Sequence, residues 1–124
     1  MRKDRVLVVD DDETICELVR SLMEPVYEIG VTLSGKDAVR RATEFIPDLI
    51  LLDLLLPKMS GYDVCSRIMR DNMTRHIPVL VVSTLDTKDS MNKLRMAGAR
   101  HFMKKPYDLD ALLAKIKTLL PKSN

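Results

Sequence analysis

"VLVVDDDETICELVRSLMEP" occupies residues 6 to 25 and changes period halfway along. Arg5 to Val9 is a short, valine-rich apolar run, the pattern of a strand buried on both faces. Ile15, Leu18, Val19, Leu22 and Met23 then fall at i, i+3, i+4, i+7 and i+8, the stripe of an amphipathic helix. Pro25 cannot continue a helix interior and stops it. Between the two segments lie the acidic residues Asp10 to Glu13. Adjacent carboxylates repel one another, so their place directly after a core strand demands an explanation.

The same alternation runs through the rest of the chain. Val26 to Thr32 reads as a second, weaker strand, and "SGKDAVRRATEF" as a helix with Ser34 as N-cap and Asp37 three residues on. Ala38, Val39, Ala42 and Phe45 form its apolar face. Pro47 introduces "DLILLDLLL", the strongest strand, and after "PKMSG" comes a helix with Val64, Cys65 and Ile68 inward. Pro78 opens the strand "VLVVS". "DTKDSMNKLRMAG" is a polar helix with a thin stripe of Met91, Leu94 and Ala97, and Gly98 fits its C-terminal cap. Ala99 to Met103 is a short fifth strand, and Asp108 caps a last helix carrying Leu109, Leu112, Leu113, Ile116 and Leu120. Five strand–helix units without a linker or low-complexity segment predict one domain over residues 1–124. They specify an α/β, doubly wound fold, a parallel sheet covered on both faces with right-handed crossovers.

Composition narrows the function classes. The chain has 124 residues, 46% apolar and 31% charged, which is globular. Twenty basic and eighteen acidic residues leave a net charge of +2, and the basic residues are scattered. A nucleic-acid binder shows a concentrated basic face instead, so direct nucleic-acid binding is not expected. The longest apolar stretch, around Leu49 to Leu56, is interrupted by Asp53 and stopped by Pro57, too short to span a bilayer. Cys16 and Cys65 sit in amphipathic patterns without a C-x-x-C, as reduced, half-buried thiols, and the N-terminus has no signal-peptide pattern. The expected location is the cytoplasm, with no membrane partner. His76 and His101 read as surface or strand-edge residues, and the eight methionines as core filler and helix surface.

In a doubly wound sheet the ligand site lies outside the carboxyl ends of the strands, where strand order reverses. Those ends carry Asp10 and Asp11, Asp53, Ser83 and Thr84, and Lys104 and Lys105. Three carboxylates, a hydroxyl and a lysine converge on one crevice. Such an acidic cluster suits Mg²⁺, a hard cation that prefers oxygen ligands and relieves their repulsion. A lysine and a hydroxyl opposite it suit a transferring phosphoryl group, whose catalysis is mostly positioning and charge neutralisation. A carboxylate can itself be the nucleophile and form an acyl phosphate.

With these residues in place, the chain resembles the receiver domain of bacterial two-component response regulators over essentially its whole length. "VLVVDDDE" is similar to the family's acidic-pair motif. "PDLILLDLLLPKMSGYD" resembles the phosphoacceptor motif, with Asp53, Pro57 four residues on and Gly61 eight residues on. "PVLVVST" resembles the hydroxyl-bearing strand, with Ser83 in the Ser/Thr position, and "GARHFMKKPYD" the lysine–proline motif. The resemblance implies a flavodoxin-like (βα)5 fold with strand order 2-1-3-4-5. It implies that Asp53 accepts a phosphoryl group from a sensor histidine kinase or phosphotransfer protein. Mg²⁺ would be held by Asp11, Asp53 and the Leu55 carbonyl, with Asp10 assisting through water. Lys105 would neutralise the phosphoryl oxygens, next to a cis bond to Pro106. Ser83 would move toward the phosphoryl group and Phe102 would turn inward, altering the face of helix 4, strand 5 and helix 5. That face would serve a downstream effector, a fused output domain or a dimer. The domain would be a signalling switch, catalysing only its own phosphorylation and dephosphorylation.

Three positions depart from the commonest family pattern. Thr84 stands where Ala or Gly is usual and narrows access; Leu55 and Leu85 offer no polar side chain to orient water, so self-dephosphorylation is expected to be slow. Phe102 lacks a tyrosine hydroxyl, so packing alone holds its inward state. Two other readings compete. Asp10, Asp12 and Thr14 also satisfy the haloacid-dehalogenase phosphatase motif, Asp10 being nucleophile and Asp12 acid/base. That family needs a second acidic motif after the lysine, and Asp108 and Asp110 follow Lys105 too closely to supply it. A receiver-like module that binds partners without phosphorylation would not need so complete a site.

Overall fold

The structure, a computed structural model, describes residues 3–56, 59–84 and 87–120. Strands and helices alternate as the periodicities require: β1 (Arg5–Val9), α1 (Glu13–Met23), β2 (Glu28–Thr32), α2 (Gly35–Phe45), β3 (Leu49–Asp53), α3 (Gly61–Arg70), β4 (Val79–Ser83), α4 (Lys88–Met96), β5 (His101–Lys104) and α5 (Leu109–Leu119). All five strands pair in parallel in the order β2-β1-β3-β4-β5. The chain leaves β1 toward β2 and returns past it to β3, so order reverses between β1 and β3.

Alternation of side chains along each strand divides the core in two. Leu7, Val9, Ile50, Leu52, Val79 and Val81 face one way and pack with α2, α3 and α4, including Ala38, Ala42, Val64, Cys65, Ile68 and Leu94. Val6, Val8, Leu49, Leu51, Leu80 and Val82 face the other way, under Cys16, Val19 and Met23 of α1 and Leu112, Ile116 and Leu120 at α5. The central strands β3 and β4 are buried along their whole length, whereas edge strands β2 and β5 are only partly covered.

Caps fix the helix boundaries. Asp12 accepts from the Thr14 and Ile15 amides, Ser34 from Asp37, Ser60 from Asp63, Thr87 from Ser90 and Asp108 from Asp110. At the end of α4, Gly98 takes a φ of 98°. Its amide reaches the Arg95 carbonyl and that of Ala99 reaches Leu94, the paired bonds of a Schellman cap.

The α1 stripe differs from expectation. Leu18 and Leu22 are 47% and 43% exposed, and Cys16 takes an inward position with Val19 and Met23. The thiols are fully rather than half buried, and burial pushes both up to about 11. Two strands start later than predicted. Val26 and Tyr27 belong to a turn on the Met23 carbonyl, and Ala99 and Arg100 lie between the Schellman cap and β5. No helix among the described residues is long and apolar enough to cross a membrane.

Candidate functional site

Register brings the acidic residues together. Val9 pairs with Leu52 across β1 and β3, so Asp10 comes level with Asp53 at the point of strand reversal. Ser83 ends β4 beside Lys104 of β5. The Lys105 amide donates to the Ser83 carbonyl at 2.8 Å, which fixes the chain just beyond both strands. The Lys105–Pro106 bond is cis, as expected.

From there the Lys105 Nζ reaches the Asp53 Oδ2 at 3.1 Å and stands 3.9 Å from the Asp10 Oδ2. The other Asp53 oxygen accepts from the Leu55 amide at 3.1 Å. The Asp10 Oδ1 accepts from the Asp12 amide at 2.9 Å. Asp10, Asp53 and Ser83 are buried, whereas Asp11 is exposed. Oxygens of Asp10, Asp11 and Asp53 all lie within 4.8 Å of one another.

The electrostatics follow from this crowding. Burial pushes the Asp10 carboxyl above its usual range; the Asp12 amide pulls it down and the Asp53 charge adds to the rise. Burial alone would lower Lys105. Its hydrogen bond to Asp53 and the charges of Asp53 and Asp10 outweigh that and hold it above its usual value. Three like charges with one lysine leave an excess of negative charge, and their hard oxygen donors fit Mg²⁺.

Other predicted residues fall around this centre. Leu55 is 55% exposed at the mouth, and Thr84 is exposed just past β4. Phe102 is half-buried on β5 and packs against the core on the α2–α4 side. Pro57 and Leu85 lie outside the described residues. Asp12 is engaged as the α1 cap through its Oδ1, so it is not paired with Asp10 as an acid/base. Nothing supports the phosphatase alternative. His76 is exposed and His101 lies on the edge strand β5, as expected.

Two contributors went unnoticed in the sequence. Tyr107 is half-buried close enough to feel Lys105, Asp10 and Asp53; burial pushes its phenol up, Lys105 pulls it down and the two carboxylates raise it further. The Cys16 thiol donates to the Asp10 carbonyl at 3.4 Å. Its signal was its place six residues after Asp10, on the inward side of α1.

Comparison with known proteins agrees with this geometry. The family described as "Response regulator receiver domain" matches residues 6–117. The DNA-binding dual master transcriptional regulator RpaA of Synechocystis is 36% identical over 121 residues, covering 97% of this chain and 50% of RpaA. The chain therefore spans about half the length of that relative. The polar-differentiation response regulator DivK of Brucella ovis is 36% identical over 116 residues, with 93% of this chain and 94% of DivK covered. The crystal structure of a response regulator from Chloroflexus aurantiacus superposes with a TM-score of 0.87 at 28% identity, covering 98% of this chain and all of that one.

Proposed function

Because this chain belongs to the response regulator receiver domain family, we propose that Asp53 is its phosphoacceptor and Lys105 the cation that neutralises the transferred group. The observation that carries this is the 3.1 Å contact of Lys105 with Asp53 inside the carboxylate cluster. An Asp53 carboxylate oxygen attacks the phosphorus of a kinase phosphohistidine. The P–N bond breaks, the imidazole leaves, and an acyl phosphate remains on Asp53. Asp11, Asp53 and the Leu55 carbonyl, with Asp10 assisting, would hold Mg²⁺, which would supply positive charge against the phosphoryl oxygens. Lys105 exchanges its contact with the carboxylate for one with the phosphoryl group. Ser83 donates its hydroxyl to the same group, and Phe102 moves inward toward the space Ser83 leaves.

The family is a phosphorylation-controlled signalling switch. For this chain we place the sensor histidine kinase or phosphotransfer protein as donor, and an effector or fused output domain as the reader of α4, β5 and α5. Dimerisation would use the same face. Residues 1–124 form one receiver domain in this reading, and its two free thiols suit the cytoplasm. Acetyl phosphate with Mg²⁺ is expected to phosphorylate the chain, and chelation of the metal to suppress this. Phosphorylation that persists undiminished in excess chelator would contradict the reading.

Leu55 and Thr84 tune the lifetime of the acyl phosphate. Leu55 presents an exposed apolar side chain at the mouth, where water must approach to attack. Leu55→Asn is expected to shorten the lifetime about tenfold by orienting that water. Phosphate release followed after removal of acetyl phosphate measures it. A wild-type lifetime already short and unchanged in Leu55→Asn would contradict slow self-dephosphorylation.

A further inference from the structure

At the pole opposite Asp53, where β4 and β5 begin, lies a cavity of about 820 Å³. That falls within the roughly 300–1,000 Å³ of small-molecule sites. Arg75, His76, Arg95, Arg100 and His101 line it, and among the described residues no carboxylate does. Among the described residues only Arg95 of these has a side-chain hydrogen bond, to neutral Asn92, and none of the five is ion-paired. The nearest acidic residue along the chain, Asp71, directs its Oδ1 to the Met73 amide at 2.8 Å.

Basic residues in a last helical turn often do no more than complement the helix dipole. Arg95 fits that description. Arg75, His76, Arg100 and His101 do not, since they lie beyond the helix ends in the connections to β4 and β5 and in the first residue of β5. The field the arginines make is positive. Burial lowers the His101 imidazole, and Lys115 and Arg100 lower it further. The floor is apolar: Ile77 and Ala99 are buried, and Met69 closes against Gly98, where an added Cβ would stand 2.7 Å from the Met69 Cγ.

Arginines read phosphate oxygens two at a time, and a polarisable methionine with an aliphatic floor accepts a flat aromatic ring. We propose that this cavity binds a nucleoside diphosphate, with Arg75, Arg95 and Arg100 holding the phosphates and the base against the half-buried Met69. The site is separate from the phosphorylation site. Val79 at the cavity and Ser83 at the other end of β4 lie one strand length, about 13 Å, apart.

Calorimetric titration of ADP in metal-free buffer tests the proposal. One site of micromolar affinity is expected, weakened at least about tenfold in the double variant Arg75→Ala/Arg100→Ala. Both side chains are exposed, so the variant keeps its fold, and unchanged thermal unfolding verifies it. Asp53→Asn is expected to bind ADP like the wild type, while adenosine and pyrophosphate each bind more weakly than ADP. No binding at millimolar ADP, equal affinity in the double variant, loss of binding in Asp53→Asn, or pyrophosphate as tight as ADP would overturn it.

Discussion

With asparagine in place of Asp53, acetyl phosphate and Mg²⁺ are expected to leave the chain unphosphorylated at a level where the wild type is mostly converted. The amide oxygen of asparagine is neutral and a poor nucleophile, so no acyl phosphate forms at that position. The loss is chemical rather than structural. Asparagine keeps the size of the side chain and can keep an acceptor for the Leu55 amide, now 3.1 Å from the Asp53 Oδ1. It also removes one member of a crowded acidic cluster whose repulsion helps hold Asp10 above its usual range. Lys105 retains Asp10 as a partner, 3.9 Å away. Thermal unfolding at neutral pH is therefore expected to be unchanged or slightly higher in Asp53→Asn. Undiminished phosphorylation of a folded Asp53→Asn variant would move the acceptor elsewhere.

The second large effect is on the loop that follows Asp53. Gly61 opens α3, and its amide donates to the Leu54 carbonyl at 2.9 Å, closing the loop from β3. An added Cβ would stand 2.6 Å from the Leu54 Cα and 2.8 Å from its carbonyl oxygen. Both obstacles are backbone, so no side-chain rotation relieves them. Leu54 is itself buried and hydrogen-bonded from its amide to Val82 of β4. Gly61→Ala must shift β3 or α3 and is expected to cost at least about 3 kcal/mol, the upper range of overpacking. For a domain of this size that lowers the melting temperature by about 10 °C. Because the same loop carries Leu55, phosphorylation should slow as well. A melting temperature within about 2 °C of wild type would mean the loop yields freely.

Much of this was legible in the residues themselves. The change of period at Asp10, the apolar run broken by Asp53 and the lysine before Pro106 place three groups at strand ends. The parallel-sheet rule then brought them to one crevice. Register is what makes this happen: Val9 opposite Leu52 sets Asp10 level with Asp53. Less legible was the rotation of α1. Leu18 and Leu22 share the helical period with Val19 and Met23, and a stripe that wide can turn either flank inward. The small thiol of Cys16 fits against the Asp10 carbonyl, and the two leucines turn outward. β5 starts later than its sequence pattern suggests for a similar reason. Ala99 and Arg100 look like strand residues, but the Schellman cap at Gly98 uses Ala99 before pairing can begin. Roles that depend on contacts between distant segments, such as Tyr107 beside Lys105, leave no periodic trace.

In the proposed mechanism Asp53 is the acceptor and the carboxylates before α1 only assist it. Peptide mapping by mass spectrometry, after acetyl phosphate treatment with Mg²⁺ and trapping of the acyl phosphate by borohydride reduction, tests this directly. A single modified residue, Asp53, is expected. Modification at Asp10 instead, with turnover of a small phosphate ester that Asp10→Asn abolishes and Asp53→Asn spares, would contradict it.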